Sequence, residues 1–316
     1  MVEMVSSVAL PADEKLEIKK MRYIKKGVTK KKDIEKLKRI SIVTGTHGDE
    51  LEGQSVCYEL GKIIKENIKC LEGIVDIYPS LNPLGMDSIT RGIPGFDIDM
   101  NRIFPGSKDG SMAEHVASDI VKNISGSDLC IDIHASNIFL KEIPQIRISE
   151  ITREKLVPYA EKLNIDYIWV HSAATVLEST LAHSLNSIGT PTLVVEMGVG
   201  MRLTEEYTRQ LVDGILYMMK ELGIWTGQVI ASPKKPMIST DGKVSFLNAK
   251  AAGVFMPAAK HCDMVEKGSK IGNIVNPLTA EVVEEILAPC TGLIFTLREY
   301  PIVDEGSLIA RILERR

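Results

Sequence analysis

The sequence predicts an α/β fold in which a mainly parallel or mixed sheet is flanked by helices, followed by a smaller all-β region. Between residues 40 and 223, buried apolar strands alternate with amphipathic helical patterns, an order typical of a sheet covered on both faces. After Gly223 the apolar runs become short and are separated by Gly, Pro and Asp, without a helical period. We therefore expect two domains, residues 1–224 and 225–316, as the length of 316 residues also suggests.

The elements of the first region follow in order along the chain. Residues 16–28 alternate imperfectly between apolar and polar side chains, which indicates an edge strand or a hairpin. The first long helix has its apolar side at Val56, Leu60 and Ile64. Further strands are predicted at 40–43, 73–78, 129–133 and 190–195, and further helices at 111–124, 152–163, 179–188 and 204–222.

The β-rich region contains an internal repeat. Residues 265–274 match residues 303–312, and each copy follows a glycine and a short hydrophobic strand, at Gly253 and Gly292. Two similar β units predict one small barrel-like sandwich, which resembles the biotinyl/lipoyl fold. Carrier domains of that fold present a lysine at the hairpin between their halves, and residues 276–286 contain none. The resemblance therefore implies an architecture and not a carrier function.

Composition and charge limit the class of protein. Hydrophobic residues are 44% and charged residues 25% of the chain, which is ordinary for a globular protein with a sizeable core. The net charge of -4 argues against nucleic acid as a partner, and acidic residues interrupt the one basic run at 19–39. Five dispersed cysteines indicate reduced thiols. With no leader pattern and no long apolar run, we expect a cytoplasmic protein without a membrane partner.

The first candidate site follows the strand at 40–43. His47 and Glu50 lie just beyond its carboxyl end, where open α/β sheets place their ligands. One imidazole and one carboxylate suit a borderline cation such as Zn²⁺, and Gly45 and Gly48 let the loop fold both side chains toward one point. Alone, the His-x-x-Glu spacing is weak, because a solvated histidine followed by a first-turn glutamate is the commoner arrangement.

Two further clusters end strands of the same region. Asp132 and His134 end the strand at 129–133, and His134 would complete a set of two imidazoles and one carboxylate with room for water. Asp132 suits either a role in orienting that ligand or a structural one. Glu196 ends the apolar strand at 190–195, where a carboxylate has to be solvated, paired or catalytic.

A Gly- and Pro-rich loop supplies another cluster, with Arg91, Asn101 and Arg102. Surface charges that cap a neighbouring helix are one interpretation of this loop. Beside a metal loop, two arginines suggest instead the binding of a carboxylate and of a developing oxyanion.

Together, these clusters resemble the succinylglutamate desuccinylase/aspartoacylase family, whose members are relatives of the zinc carboxypeptidases. The resemblance covers the chain from about residue 16 to the end and implies a zinc-carboxypeptidase-like sheet. The motifs that carry it are His47-Gly-Asp-Glu50, Asp99-Met-Asn-Arg102, Asp132-Ile-His134 and Glu196-Met-Gly198, in this order.

The resemblance also implies the roles of the metal-site residues. By it, His47, Glu50 and His134 are the ligands of one Zn²⁺ per chain, and Glu196 is the general base. Arg91 would polarise the scissile carbonyl. Zinc and Arg91 together would then stabilise a tetrahedral oxyanion.

The substrate residues follow from the same resemblance. Asn101 and Arg102 would hold the substrate carboxylate, and Tyr300 is a further candidate donor, with packing at the domain interface as the alternative. Similar enzymes use an additional arginine shortly before the base glutamate to bind an acidic substrate side chain, but residues 173–194 contain neither Arg nor Lys. A neutral or basic N-acyl amino acid is therefore at least as plausible as an acidic one.

The predicted function is a zinc-dependent amidohydrolase that removes the acyl group of an N-acyl amino acid or similar small amide with metal-activated water. A zinc carboxypeptidase acting on short peptides is the alternative, although a β domain closing over the site would exclude long peptides. A non-catalytic binding protein is a third interpretation, but it has no need of a base such as Glu196. The predicted partner is a small molecule; a homo-oligomer and another divalent metal stay open.

Overall fold

The computed structural model describes residues 1–95, 98–172 and 178–315. Its helices are α1 (Lys31–Ile34), α2 (Glu52–Glu66), α3 (Pro83–Ser88), α4 (Met112–Ile124), α5 (Arg153–Ala160), α6 (Leu181–Ser187) and α7 (Glu205–Glu221). Its first nine strands are β1 (Val2–Ala9), β2 (Lys15–Ile24), β3 (Arg39–Thr44), β4 (Ile74–Tyr78), β5 (Leu129–Ala135), β6 (Leu140–Ser149), β7 (Tyr167–His171), β8 (Thr192–Gly198) and β9 (Met237–Thr240). The others are β10 (Val244–Asn248), β11 (Gly253–Pro257), β12 (Met264–Val265), β13 (Lys270–Asn276), β14 (Glu281–Leu287), β15 (Gly292–Arg298), β16 (Ile302–Val303) and β17 (Leu308–Glu314). Within these described ranges, no helix is long and apolar enough to cross a membrane.

One large sheet of 13 strands organises the molecule, in the order β1-β2-β4-β3-β5-β8-β6-β15-β17-β10, with β7 and β9 joined beside β6 and β12 beside β15. The strands β4, β3, β5 and β8 run parallel, and β6 is antiparallel to β8. The predicted fold class, a mixed sheet flanked by helices with a C-terminal antiparallel β region, is confirmed.

The helices cover both faces of the parallel strands. Because successive side chains of a strand point to opposite faces, Ile42 and Val43 of β3 enter different cores. Ile42 belongs to the apolar cluster that includes Leu60 of α2, and Val43 to the one that includes Val116 of α4. Burial on both faces explains why the apolar residues of β3 and β5 are not confined to alternate positions.

The structure adds strands that the sequence pattern did not predict. Residues 16–28, expected to form an edge strand or a hairpin, hold the single strand β2. It is the second strand of a hairpin with β1, which was not predicted, and it is not at an edge because β4 pairs with its other side. The strands β6 and β7 were also missed. Charged and amide side chains interrupt β6, although nearly the whole strand is buried.

The β-rich region continues the large sheet. Strand β15 pairs antiparallel with β6, with Thr296 opposite Glu142. A second sheet, in the order β14-β13-β11-β16, packs over β15 and β17 around an apolar cluster that includes Phe255, Ile274 and Ile294. The division of the chain into residues 1–224 and 225–316 stays a prediction.

The internal repeat of the sequence is also a repeat of structure. Gly268 and Gly306 occupy equivalent positions in the two copies, and both have a φ of 86°, in the left-handed region that favours glycine. The short strand of each copy pairs with the long strand before the other copy, β12 with β15 and β16 with β11. This exchange joins the two copies into one unit.

Candidate metal centre

The loop after β3 brings two of the predicted ligands to the carboxyl edge of the sheet. His47 and Glu50 stand between β3 and α2, and both are buried. Gly45 has a φ of 67°, and a Cβ at Gly48 would lie 2.0 Å from the carbonyl carbon of Gly85. Larger residues at these two positions would therefore push the loop away from its neighbours.

The three predicted metal ligands converge. Nδ1 of His47 lies 2.7 Å from Oε1 of Glu50, and Nδ1 of His134 lies 3.0 Å from Oε2. Each of the three residues offers one ligand atom, and these atoms all lie within 4.8 Å of one another. Nδ1 of His47 is buried, and within the described part of the chain it makes no hydrogen bond despite its closeness to Glu50. Two imidazoles and a carboxylate directed at one point fit a cation such as Zn²⁺.

Each histidine is oriented from its other nitrogen by an aspartate. Nε2 of His47 lies 2.9 Å from Oδ1 of Asp99, and Nε2 of His134 lies 3.2 Å from Oδ2 of Asp132. A carboxylate on the far nitrogen fixes the ring and leaves Nδ1 for a metal. The orienting role considered for Asp132 fits this geometry. Asp99 was quoted in its motif but given no role, and its place before Asn101 was the available signal.

The pKa values of Glu50, His47 and His134 depend on the closeness of the carboxylates and imidazoles to one another. Burial alone would raise the pKa of the Glu50 carboxyl, but the imidazoles of His134 and His47 next to it outweigh burial and hold this pKa well below its usual range. Burial alone would lower the pKa of His47 and of His134, but the carboxylates beside them raise both. The cluster therefore favours an ionised Glu50, and a cation bound there would compete with protons for the two imidazoles.

Glu196 stands beside His134 on the neighbouring strand. The register of β5 and β8 places the two residues opposite each other, so both side chains are on the same face of the sheet. Burial raises the pKa of Glu196 to about 7, against the lowering effect of Arg147, whose Nη1 lies 3.2 Å from Oε1. A carboxyl group with this pKa can accept and release a proton near neutral pH.

The loop residues lie against the same cluster. Arg91 donates from Nη1 to Oε1 of Glu50 at 2.9 Å. The backbone N–H of Leu181, at the start of α6, donates to Oδ1 of Asn101 at 2.9 Å, which fixes that amide. Arg102 is exposed and donates from Nη1 to the carbonyl oxygen of Asn101. The loop thus carries two guanidinium groups on one side of the metal cluster.

One cavity of about 520 Å³ joins these groups. Among the residues that line it are eight that the sequence singled out, namely His47, Glu50, Arg91, Asn101, Arg102, Asp132, His134 and Glu196. Residues from four separate stretches of the chain therefore share one enclosed space, as the carboxyl ends of adjacent strands require.

A comparison with protein families decides the relationship of this chain. Residues 36–222 match the model of the succinylglutamate desuccinylase/aspartoacylase catalytic domain. The chain belongs to this family. Members of the family are named as deacylases, which hydrolyse amide bonds, and the resemblance noted in the sequence is confirmed.

Individual relatives cover most of the chain. The N-alpha-acetyl-L-2,4-diaminobutyric acid deacetylase of Halomonas elongata is 25% identical over 286 residues, which are 85% of this chain and 80% of that protein. The product-bound ectoine utilization protein EutE (DoeB) from Ruegeria pomeroyi has a TM-score of 0.79 at 19% identity, covering 98% of this chain and 93% of that chain. A succinylglutamate desuccinylase from Silicibacter sp. TM1040 has a TM-score of 0.82 at 20% identity, covering 99% and 95%. The two structures establish a shared fold.

In this member of the succinylglutamate desuccinylase/aspartoacylase family, three charged residues of the cavity were not predicted from the sequence. They are Glu142 and Arg147 on β6 and Arg311 on β17. The signal for the first two was a pair of charged residues that flank the apolar and amide run 143–146. Arg311 stands 115 residues after Glu196 (311 minus 196), and no local pattern connects the two.

Tyr300 is placed differently from the other candidates. It is 46% exposed, and its ring packs edge-on against Phe139, with ring centroids 5.6 Å apart. Phe139 lines the cavity, so Tyr300 stands behind one of the wall residues. Its role as a substrate donor stays a prediction.

Proposed function

We propose that this protein is a zinc-dependent deacylase that hydrolyses the amide bond of an N-acyl amino acid or a similar small amide. The convergence of Nδ1 of His47, Nδ1 of His134 and the Glu50 carboxylate carries the proposal, together with Glu196 in the same cavity. Two imidazoles and one carboxylate leave an open position on zinc, as catalytic sites require. Zinc bound there would polarise the acyl carbonyl and make water a good nucleophile near neutral pH.

Glu196 would carry the proton during hydrolysis. Its Oε1 is ion-paired with Arg147, so Oε2 is the oxygen left to take a proton. Glu196 would accept a proton from the attacking water as the water oxygen adds to the acyl carbon. The proton would then pass to the amide nitrogen as the C–N bond breaks, which yields an amine and a carboxylic acid, and the acid loses its remaining proton at neutral pH.

Three loop residues would bind the substrate. Arg102 presents a guanidinium group suited to bidentate pairing with a carboxylate, and Asn101 holds its amide beside it. We assign the substrate carboxylate to this pair. Arg91 would polarise the scissile carbonyl, and its contact with Glu50 keeps its guanidinium next to the metal position.

A neutral or basic amino acid is the substrate class we propose. Arg147 and Arg311 line the cavity, but both are ion-paired with Glu142, and Arg147 is also ion-paired with Glu196, so neither is free to bind an acidic substrate side chain. The absence of Arg and Lys from residues 173–194 supports the same class. So does the relative named N-alpha-acetyl-L-2,4-diaminobutyric acid deacetylase, because the acid in that name carries a second amino group.

Hydrolysis of a panel of N-acyl amino acids tests the proposal. The panel holds N-acetyl and N-succinyl derivatives of acidic, neutral and basic amino acids, including N-alpha-acetyl-L-2,4-diaminobutyrate. We expect release of the acyl acid that a chelator abolishes and zinc restores, fastest for basic or neutral members. Zinc-loaded Glu196→Gln protein is the control against a contaminating hydrolase.

The same experiment separates the other functions. Removal of the C-terminal residue from short peptides, without release of any acyl acid, would favour a zinc carboxypeptidase. Zinc binding without hydrolysis of either kind of substrate would favour a non-catalytic binding protein. Either result would refute the deacylase.

We also propose a cytoplasmic location and an organisation of the chain into two domains with different roles. All five cysteines are free thiols, which fits a reducing compartment. Residues 1–224 would form the catalytic domain, because they hold the metal cluster and Glu196. Residues 225–316 would form the β-rich domain, which contributes Arg311 to the lining of the cavity.

A further inference from the structure

Beyond the roles given above, we infer that Arg147 is a positioning residue for the Glu196 carboxylate. Arg311, from the last strand, contributes to this positioning because it binds Glu142, the carboxylate that anchors Arg147. The inference rests on the proposed function, in which Glu196 carries the proton. It makes the C-terminal β region part of the machinery that sets the base, in addition to lining the cavity.

Sheet register places Arg147 on the same face as Glu196. Arg147 of β6 pairs with Val194 of β8, which is two residues before Glu196 and therefore points the same way. On its other side Arg147 pairs with Trp169 of β7, and its guanidinium carbon lies 5.8 Å from the centre of the indole ring. The guanidinium therefore has an aromatic surface on one side and the base on the other.

Hydrogen bonds fix the direction of this guanidinium. Nη2 of Arg147 donates to both oxygens of Glu142, at 3.0 and 2.9 Å, so this side of the group is anchored on one carboxylate. The other amino group, Nη1, lies 3.2 Å from Oε1 of Glu196. Because a guanidinium is planar and rigid, anchoring one edge on Glu142 determines where Nη1 stands, and hence where Glu196 is attracted.

Glu142 is in turn held by the C-terminal region. It is fully buried, and it accepts hydrogen bonds from Arg311 and, at 3.4 Å, from the hydroxyl of Thr296. A buried carboxylate needs such pairing, since an isolated buried charge is very unfavourable. With Arg311 also neutralising Glu142, the charge of Arg147 remains available to Glu196.

Substitution at Arg147 separates positioning from simple stability. Arg147→Met keeps an unbranched, flexible stem and removes the guanidinium charge. We expect kcat to fall on the order of 100-fold, as small displacements of a catalytic group do, with KM and zinc content unchanged. Arg147→Lys should recover part of kcat because it keeps a cation near Glu196. Arg311→Met should lower kcat less than Arg147→Met.

Arg22→Met is the matched control. The Arg22 side chain is 19% exposed, against 29% for Arg147, and it makes a double hydrogen bond to buried Asp76, far from the cavity. This variant should lose stability as Arg147→Met does, because each substitution removes one of the cations paired with a buried carboxylate, while Lys20 still pairs with Asp76 and Arg311 with Glu142. It should keep the kcat of the unchanged protein. An equal fall of kcat in both variants would make Arg147 merely structural and overturn the inference.

Crystal structures give a readout that does not depend on activity. In zinc-loaded Arg147→Met, we expect the Glu196 carboxylate to leave its position beside His134, and in Arg147→Lys to keep it. An unmoved Glu196 in Arg147→Met overturns the inference. If Glu196 moves while the unchanged protein hydrolyses no N-acyl amino acid, the proposed function fails and the positioning stands. A raised KM with unchanged kcat would make Arg147 a substrate-binding residue and also overturn the inference.

Discussion

His134 and Glu196 face each other across two adjacent parallel strands, and each is held from behind by a different partner. Asp132 lies 3.2 Å from Nε2 of His134, and Arg147 lies 3.2 Å from Oε1 of Glu196. Backbone hydrogen bonds of the sheet set the separation of these two positions. The proposed metal ligand and the proposed proton carrier stand on one rigid face, where they keep their mutual geometry better than residues on two loops would.

Glu196→Gln should abolish most of the activity and leave the metal in place. Glutamine has nearly the same shape but cannot take a proton, and general acid–base groups contribute about 100-fold to 10,000-fold in rate. Acyl release and zinc content, measured on the same preparation, check this prediction. Glu205→Gln, at a side chain that is 83% exposed on α7, is the control. Full activity in Glu196→Gln would exclude Glu196 as the proton carrier.

The rate should depend on pH through the ionisation of Glu196. Burial raises the pKa of this carboxyl to about 7, so the group is protonated, and inactive as a base, below that value. We expect kcat/KM to rise with pH up to about 7 and then to level off. Zinc content has to be measured at each pH, because the protons on His47 and His134 compete with the metal. An acid limb near pH 4, at the ordinary pKa of glutamate, would contradict the prediction.

The sequence was sufficient to predict that His47, Glu50 and His134 converge, because its signals are local. His47 and Glu50 are three residues apart after one strand, and His134 and Glu196 each end another strand. Parallel strands bring their carboxyl ends to one edge, so the strand assignment alone predicts that these residues meet. The internal repeat gave the C-terminal β architecture for the same reason, since each copy carries its own turn glycine.

The other charged residues of the cavity, Glu142, Arg147 and Arg311, could not be predicted from such local patterns. Glu142 and Arg147 interrupt the apolar sequence of strand β6. A strand is recognised from the sequence by alternating or continuously apolar residues, and a strand that carries an ion pair in the protein interior shows neither pattern. Their partner Arg311 is remote along the chain, and only the pairing of β6 with β15 and of β15 with β17 brings it near. Such contacts depend on strand order, which single-sequence patterns do not specify.

Asp99→Asn should weaken metal binding. Asp99 accepts from Nε2 of His47, and loss of such an outer partner typically costs about 10-fold to 100-fold in metal affinity. The zinc dissociation constant, measured by competition with a chelating dye, checks the prediction. Asp33→Asn, at a side chain that is 54% exposed near the N-terminus, is the control. Equal zinc affinity in both variants would show that the His47 ring does not depend on Asp99.

Arg102→Met should raise KM and leave kcat nearly unchanged if Arg102 holds the substrate carboxylate. A hydrogen bond to a charged group contributes about 1.5–3 kcal/mol, which corresponds to a rise in KM of roughly 10-fold to 100-fold. Initial rates over a range of substrate concentrations check this. Arg209→Met, at a side chain that is 68% exposed on α7, is the control and should keep both constants.

A second substrate, the amide of the N-acyl amino acid, tests whether Arg102 binds the substrate carboxylate. An N-acyl amino acid amide lacks the carboxylate, so the unchanged protein should bind it less well than the acid. Arg102→Met should bind the acid and the amide about equally, because the group that distinguishes them is gone. If Arg102→Met still prefers the acid as strongly as the unchanged protein does, the carboxylate is held elsewhere in the cavity, with Arg91 the nearest alternative cation on the same loop.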